Sequence, residues 1–446
     1  MKIVIAGAGE VGFHLAKLLS SEAQDIVLID KNEELLDYAQ SHLDVLIVKG
    51  DATSIRTMVE AQVKKADLLI AATSNENTNI VIAVIGKRMG ASKTIARVNK
   101  TEYLTKKVAE DFAKVGVDHL ISPRQLAAYE VYRLIREAAL TNFYEFESGK
   151  LFLAGITIEP NSPVIDSSIV ETAHLNPGLV FRPIAIKRND ETLIPRGSTR
   201  FKANDHVYFI TQNGGIEQIL KITGKEKKKI RKVMILGGGS IAFMSAQLLE
   251  RNHTVKLVER DEEKCLELAE RLTNTMIIQG DGSNVELLEE EGLAEMDAFI
   301  ALTGNSEANI ISCLVASGHN VHKTISLVEN TELTDLSQRI GVDTLINRKL
   351  IAANSIFRYT RKGKVQAVTA LHGVDAEIIE FLVESGSPIT RDIIRNLNFP
   401  VEALIGGVIR ENKGHIPMGD FRIEVGDKVV VFTLPEAISE VEKFFR

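Results

Sequence analysis

KIVIAGAGEVG, from Lys2 to Gly12, is a β-branched apolar run that ends in three glycines, Gly7, Gly9 and Gly12, and passes straight into an amphipathic stretch. Strand, glycine turn and helix in that order open a parallel sheet wrapped by helices. Gly7 permits the tight turn, Gly9 lets a pyrophosphate approach the backbone, and Gly12 lets the helix pack closely on the sheet. The free N–H groups of the helix start, carried by Ala8, Glu10 and Val11 among the glycines, then face an anion together with the partial positive charge of the helix. Such a loop needs no lysine to hold phosphate.

Further along, Asp30 closes the second expected strand, roughly 20 residues after the loop, where a carboxylate accepts the hydroxyl hydrogens of an adenosine ribose. A 2′-phosphate there would meet Asp30 with only Lys31 and Asn32 following, so the pattern favours NAD over NADP; ATP and ADP share the unmodified ribose and stay open. Asp51, in Gly50-Asp51-Ala52, is placed beside the adenine pocket. Thr73 and Ser74 close the fourth strand over the phosphates, and Arg97, on the fifth, reads as the one nearby cation, with a surface ion pair as its bland alternative.

Everything in this segment returns about 230 residues later. KVMILGGGSIA (Lys232 to Ala242) repeats the opening, VKLVE ending at Glu259 repeats IVLID, MIIQGDGSN around Asp281 repeats LIVKGDATS, and AFIALTGNSEANI around Thr303 repeats LLIAATSNENTNI. The second candidate site is therefore Gly237, Gly238, Gly239, Ser240 and Ile241 with Glu259, Asp281 and Thr303; Ala242 replaces the third glycine and Leu327 stands where Arg97 stood. The second site keeps its shape and loses a phosphate contact. Strands are expected near Ile3, Ile26, Val45, Leu68, Ile95 and His119, with helices over Val11–Ser20, Glu33–Gln40, Ile55–Ala61, Asn77–Met89 and Glu102–Lys114, and one from Pro123 to near Arg136.

After each copy the period changes to short alternating strands, and IPRGSTRFKANDHVYFI from Ile194 aligns with IPMGDFRIEVGDKVVVF from Ile416, each with a polar turn ending in Asp205 or Asp427. The fold class is thus α/β: two Rossmann-type doubly wound parallel-sheet domains, each followed by a small α+β module. Boundaries fall at 1–123, 142–226, 230–347 and 366–446, and the basic stretch Gly224–Lys232 reads as a solvated linker.

Composition bounds the rest. A chain of 446 residues with 45% hydrophobic and 25% charged residues is globular, and a formal charge of −7 argues against a nucleic-acid partner. Cys265 and Cys313 fall in expected helices as thiols of a reducing compartment, the strand-like start leaves no room for a signal peptide, and no apolar run approaches the roughly 18 residues of a spanning helix. His319 and His322 lack a cluster that would make them metal ligands, and no nucleophile-elbow, P-loop or zinc-protease motif occurs.

GAGEVG at Gly7, Asp30, GDAT at Gly50, AATSNENTN at Ala71, ARV at Ala96 and the PRGST and PMGDF turns, in a duplicated order over essentially the whole chain, resemble the RCK (KTN) regulators of potassium transport. The resemblance implies a cytoplasmic, non-enzymatic regulatory subunit that assembles as a homo-oligomeric ring, docks beneath a Trk-type membrane potassium transporter and responds to NAD(H), ATP or ADP. The alternative is an NAD-dependent dehydrogenase. It would need an acid or base and a substrate clamp against the nicotinamide, and the small segments offer only His174, His206, His372 and His415.

Overall fold

The computed structural model describes residues 1–20, 24–147, 149–175, 180–189, 191–225, 229–330, 333, 337, 340–357, 359, 365–370, 374 and 376–446. Its first sheet contains β1 (Lys2–Ala6), β2 (Asp25–Asp30), β3 (Leu46–Lys49), β4 (Leu68–Ala71), β5 (Lys93–Arg97) and β6 (His119–Ile121) in the order β3-β2-β1-β4-β5-β6, all parallel. The order reverses between β1 and β4, which opens a crevice at the carboxyl ends of those strands. β4 is buried along its whole length and β1 at all but its first residue, as a sheet covered on both faces demands.

The covering helices are α1 (Glu10–Ser20), α2 (Glu33–His42), α3 (Ile55–Glu60), α4 (Glu76–Met89), α5 (Lys106–Val115) and α6 (Pro123–Arg136). Asn32 caps α2 by accepting from the Glu34 N–H, Asn75 caps α4 by accepting from the Thr78 N–H, and Gly90 ends α4 in the left-handed region. The helix expected over Glu102–Lys114 is broken. A 3-10 turn at Thr101–Leu104 stops at Thr105, whose extended backbone and hydroxyl bond to the Glu102 carbonyl reset the chain before α5 begins.

β7 (Asn142–Phe146), β8 (Leu151–Thr157), β9 (Phe181–Arg188), β10 (Glu191–Leu193) and β11 (His206–Thr211) form an antiparallel sheet in the order β10-β9-β11-β8-β7, with α7 (Ile169–Leu175) and α8 (Gly215–Thr223). A second parallel sheet follows, β12 (Lys232–Leu236), β13 (Thr254–Glu259), β14 (Thr275–Gln279), β15 (Ala298–Ala301), β16 (Lys323–Leu327) and β17 (Thr344–Ile346), ordered β14-β13-β12-β15-β16-β17 like the first. Its helices are α9 (Ser240–Leu249), α10 (Glu262–Arg271), α11 (Val285–Glu290) and α12 (Ser306–Gly318). After α13 (Arg348–Phe357) come β18 (Val365–Ala370), β19 (Glu377–Leu382), β20 (Ala403–Arg410), β21 (Lys413–His415) and β22 (Lys428–Thr433), antiparallel in the order β18-β19-β22-β20-β21.

The compact units do not follow the sequence halves. Met1–Tyr129 closes with Asn347–Thr360, and Glu130–Ile346 closes with Arg361–Arg446. In the first unit α13, which follows β17 in the chain, packs on α1, and Tyr359 stacks on His119 with ring centroids 4.1 Å apart. Within the second unit the two antiparallel sheets share one core: Phe146, Leu151, Ile184 and Tyr208 of one pack with Ile378, Leu404, Val430 and Phe432 of the other. Main-chain acceptors join them further, with the Arg182 guanidinium donating to the Pro417 carbonyl at 3.1 Å and the Gln212 amide to that of Gly414 at 2.7 Å.

Each small sheet carries the same buried fork. Arg188 donates twice to Asp205 at 2.8 and 2.7 Å, and Arg410 twice to Asp427 at 2.8 and 2.7 Å. Both aspartates are almost fully buried; the planar guanidinium satisfies both oxygens of each, and the Lys202 and Glu424 N–H groups add a further bond at 2.8 Å to Asp205 and Asp427. Within the linker stretch, Lys225 pairs with Glu159 at 3.1 Å; residues 226–228 lie outside the described residues. Among the described residues no helix is long and apolar enough to cross a membrane.

Candidate functional site

The crevice at the reversal of the first sheet is a cavity of about 530 Å³. Its floor is the glycine loop. Gly7 lies at φ +107°, and a Cβ there would stand 2.9 Å from the Thr73 nitrogen; a Cβ on Gly12 would stand 1.8 Å from the Gly7 carbonyl oxygen. Those two glycines serve protein packing. Gly9 differs, since a Cβ there would meet nothing within 4 Å, and its bareness leaves room on the cavity side.

Asp30, at the end of β2, holds the loop from above. Its Oδ2 accepts the Ala8 N–H at 2.6 Å and its Oδ1 the Asn32 N–H at 2.9 Å, and the residue lines the cavity. Asp51 also lines the cavity, with Oδ1 accepting from the Thr53 N–H at 2.8 Å and hydroxyl at 2.7 Å and Oδ2 facing Lys31 at 3.0 Å. The Thr53 bonds, then Lys31, pull its carboxyl down to about 2. Lys31 and Asp51 thus form an ion pair open to solvent.

Thr73 and Arg97 are set by a side chain that sequence reasoning passed over. Asn79, 1% exposed on α4, accepts the Thr73 N–H at 2.9 Å and hydroxyl at 2.6 Å through Oδ1, and donates through Nδ2 to the carbonyls of Thr73 at 3.0 Å and Arg97 at 2.9 Å. One buried amide therefore ties the end of β4 to the end of β5. Asn309 repeats the arrangement with Thr303 and the Leu327 carbonyl. The signal was present in the sequence, an asparagine at matching places of both copies.

Of the first-copy candidates, Gly7, Gly9, Glu10, Val11, Asp30, Asp51, Thr73, Ser74 and Arg97 line the cavity, while Ala8 and Gly12 support it from behind. Arg97 is not the one cation. Lys31 and Arg348 line the same space, and Arg348 arrives on α13, far along the chain, where no local pattern connects it to the loop.

The second crevice, about 560 Å³, is lined by Gly237, Gly238, Gly239, Glu259, Asp281 and Thr303 among others. Ser240 and Ile241 open α9 and do not line it; Ile241 is buried. Gly239 stands at the N-cap of α9, so no side chain caps that helix start. Glu259 accepts from Gly238 at 2.6 Å, Arg260 at 2.8 Å and Asp261 at 2.9 Å, all backbone N–H groups. The cations lining this crevice are Arg260 and Lys264, where the first has Lys31, Arg97 and Arg348. Arg260 directly follows Glu259 in the sequence, a signal that reading the first copy as the template for both had hidden.

Among the described residues, none of the histidines considered for a dehydrogenase lines either crevice. His206 is held by Thr141, Thr157 and Asn142 at 3.0–3.1 Å, and burial drives it down to about 4, so it stays neutral within the small sheet. His174 is exposed on α7, and His372 lies outside the described residues. His319 gives one ring nitrogen to the Val315 carbonyl at 2.8 Å and the other to Glu289 at 2.7 Å.

Family models account for most of the chain: the TrkA-N domain matches residues 3–123 and 233–348, and the TrkA-C domain matches 153–224 and 378–446. The chain belongs to the TrkA family. It is 32% identical to Trk system potassium uptake protein TrkA homolog 1 of Methanosarcina mazei, over the full length of both. It is also 32% identical to Trk system potassium uptake protein TrkA of Halomonas elongata, covering 100% of this chain and 99% of that one. Among solved structures, the GsuK RCK domain superposes with a TM-score of 0.63 at 15% identity, covering 100% of this chain and 95% of that one. The GsuK channel bound to NAD does so with the same score at 15% identity over 99% and 78%. At that identity the fold is what is shared.

Proposed function

We propose that this TrkA-family chain is the cytoplasmic, nucleotide-sensing regulatory subunit of a membrane potassium uptake system. It binds NAD(H) and ATP or ADP in its two glycine-loop crevices and does no chemistry on them. The observation that carries this reading is the duplicated crevice: each has a bare glycine loop at a helix start, a carboxylate fixed at the ribose end and a threonine fixed at the phosphate end by a buried asparagine. Full-length relatives named for potassium uptake, and structures of the like-folded GsuK described as bound to NAD and to ADP, support the ligand class and the setting.

The regulatory reading also rests on what stands near the crevices. A hydride-transfer enzyme needs a proton donor or acceptor and a substrate clamp facing the nicotinamide, and the small sheets instead bury their matching faces in one another. Such a pair is suited to assembly. Copies of the chain then form a ring beneath a Trk-type transporter, peripheral to the membrane through that partner. A nucleotide acts by binding one state of the ring more tightly than the other, and it shifts the population only by that difference.

Titration calorimetry of the purified chain with NADH, ATP and ADP, alongside potassium uptake by cells lacking it, tests the reading. Saturable binding to both crevices and failed uptake restored by the intact chain are expected. Steady, substrate-dependent NADH oxidation by the pure protein would replace it with the dehydrogenase reading.

A further inference from the structure

Arg348 is the first residue of α13, and it lines the first crevice with Gly7, Gly9 and Arg97. The helix follows β17 in the chain yet packs on α1, the helix whose start receives the anion. Between them stands Glu10, at the first turn of α1, with its carboxylate 3.5 Å from the Lys349 ammonium and 4.0 Å from the Arg348 guanidinium. Glu10 is 68% exposed at its side chain, whereas Arg348 and Lys349 are 23% and 17% exposed. The two cations are thus largely shielded while the anion that meets them is open to solvent. Negative charge is favoured there twice over, by the helix start and by α13.

Resting on the nucleotide reading of the first crevice, we propose that Arg348 counts the phosphates of the bound nucleotide. It contacts the phosphates farthest from the ribose, so that each added phosphate ties α13 more firmly to α1. A guanidinium suits this because its planar donor fork meets two phosphate oxygens at once. Among the described residues, the lining of the second crevice includes no arginine from the helix that follows the other repeat's sheet. The residue aligned with Arg348 is Pro123, which has no side-chain donor and no N–H, and Arg97 is replaced by Leu327. Charge counting therefore belongs to the first crevice, through a residue supplied by the other repeat.

The test uses the full chain with its second crevice closed to phosphate by Gly239→Glu, a position where an added side chain meets nothing within 4 Å. Adenosine, AMP, ADP and ATP are titrated into this protein and into the same protein carrying Arg348→Gln. Affinity should rise along the series in the first protein, and Arg348→Gln should cut the gain from AMP to ATP by tenfold or more while leaving adenosine within about twofold. Hydrogen exchange on the chain with native Arg348 supplies a second readout, with ATP protecting the amides of α13 more than AMP does. A full AMP-to-ATP gain in the Arg348→Gln protein, or equal weakening of all four ligands, overturns the inference. If the protein with Arg348 intact binds none of them, the nucleotide reading itself has failed.

Discussion

Replacing Asn79 by leucine tests the device that positions the phosphate end of the first crevice. Leucine is close to asparagine in size, so α4 keeps its packing against the sheet while the hydrogen bonds to the Thr73 N–H, hydroxyl and carbonyl and to the Arg97 carbonyl disappear. A buried partner left unsatisfied costs about 1–3 kcal/mol each, but Thr73 and Arg97 are only partly buried, so water recovers some of that loss. A destabilisation of about 3 kcal/mol is expected, large for one substitution and tied to a named cause. Because the chain has two compact units, a single unfolding midpoint is a poor measure. Hydrogen exchange at the ends of β4 and β5 localises the effect, and urea unfolding of the transition that contains them sizes it. ATP affinity should fall with it, since Thr73 and Arg97 both line the crevice. If Asn79→Leu costs less than about 1 kcal/mol and leaves exchange at Thr73 unchanged, the amide does not hold the two strand ends together.

Other outcomes follow from the crevices and from burial. Arg97→Leu should weaken ATP binding at the first crevice by about ten- to a hundredfold, the worth of a charge-assisted phosphate contact of about 1.5–3 kcal/mol; unchanged affinity by calorimetry would return Arg97 to a surface ion pair. NADH or ATP at a hundred times its dissociation constant should stabilise the protein by about 2.7 kcal/mol in a thermal melt. NADPH should do so much less at the first crevice, where a 2′-phosphate would meet the Asp30 carboxylate, and less poorly at the second, where Arg260 follows Glu259; equal protection by NADPH at the first crevice would sink the ribose argument. Acid should destabilise the small sheets through His206, whose proton affinity in the fold lies below its ordinary value. A depressed histidine contributes stability above its usual 6.5 that is lost as pH falls through about 4, here about 3 kcal/mol. Glu380 acts in the opposite sense: burial and Glu147 raise its carboxyl to about 7, so its contribution is complete below the ordinary carboxylate range and lost as pH rises through 7. A His206→Gln chain whose urea midpoint still drops between pH 6.5 and 4 as much as the parent's would place the acid sensitivity elsewhere.

What the sequence made legible was whatever is local. Gly7, Gly9 and Gly12 announce a turn because the chain there must pass close to itself, and the repeated KIVIAGAGEVG and KVMILGGGSIA announce two such turns. Contacts between distant segments were hidden. Arg348 could not be assigned to the first crevice, because nothing within a few residues of it says that α13 leaves its own sheet. Lys93 and Lys323 make the same point, since they align and begin matching strands. Lys93 is exposed, whereas Lys323 is 1% exposed and spends its ammonium on the Leu140 carbonyl at 2.8 Å, the Thr344 hydroxyl at 2.9 Å and Asp343 at 2.6 Å. The letter is identical, and the Leu140 carbonyl, brought in by a distant segment, joins Thr344 and Asp343 in making the burial tolerable.

The shared core of the two small sheets bears on how the halves came to differ. Were the two sheets carried by separate identical chains, that core would join two copies of one gene product, and any change on one side would be inscribed on the other at the same moment. Joined in tandem, each side mutates alone while the apolar contact between them still holds the pair together. One repeat is then at liberty to trade an arginine for a leucine, or to send a helix start bearing arginine where its twin bears proline, without its partner having to follow. The fusion breaks a symmetry that assembly would otherwise impose, and it lets one scaffold carry a matched pair of crevices with unlike linings.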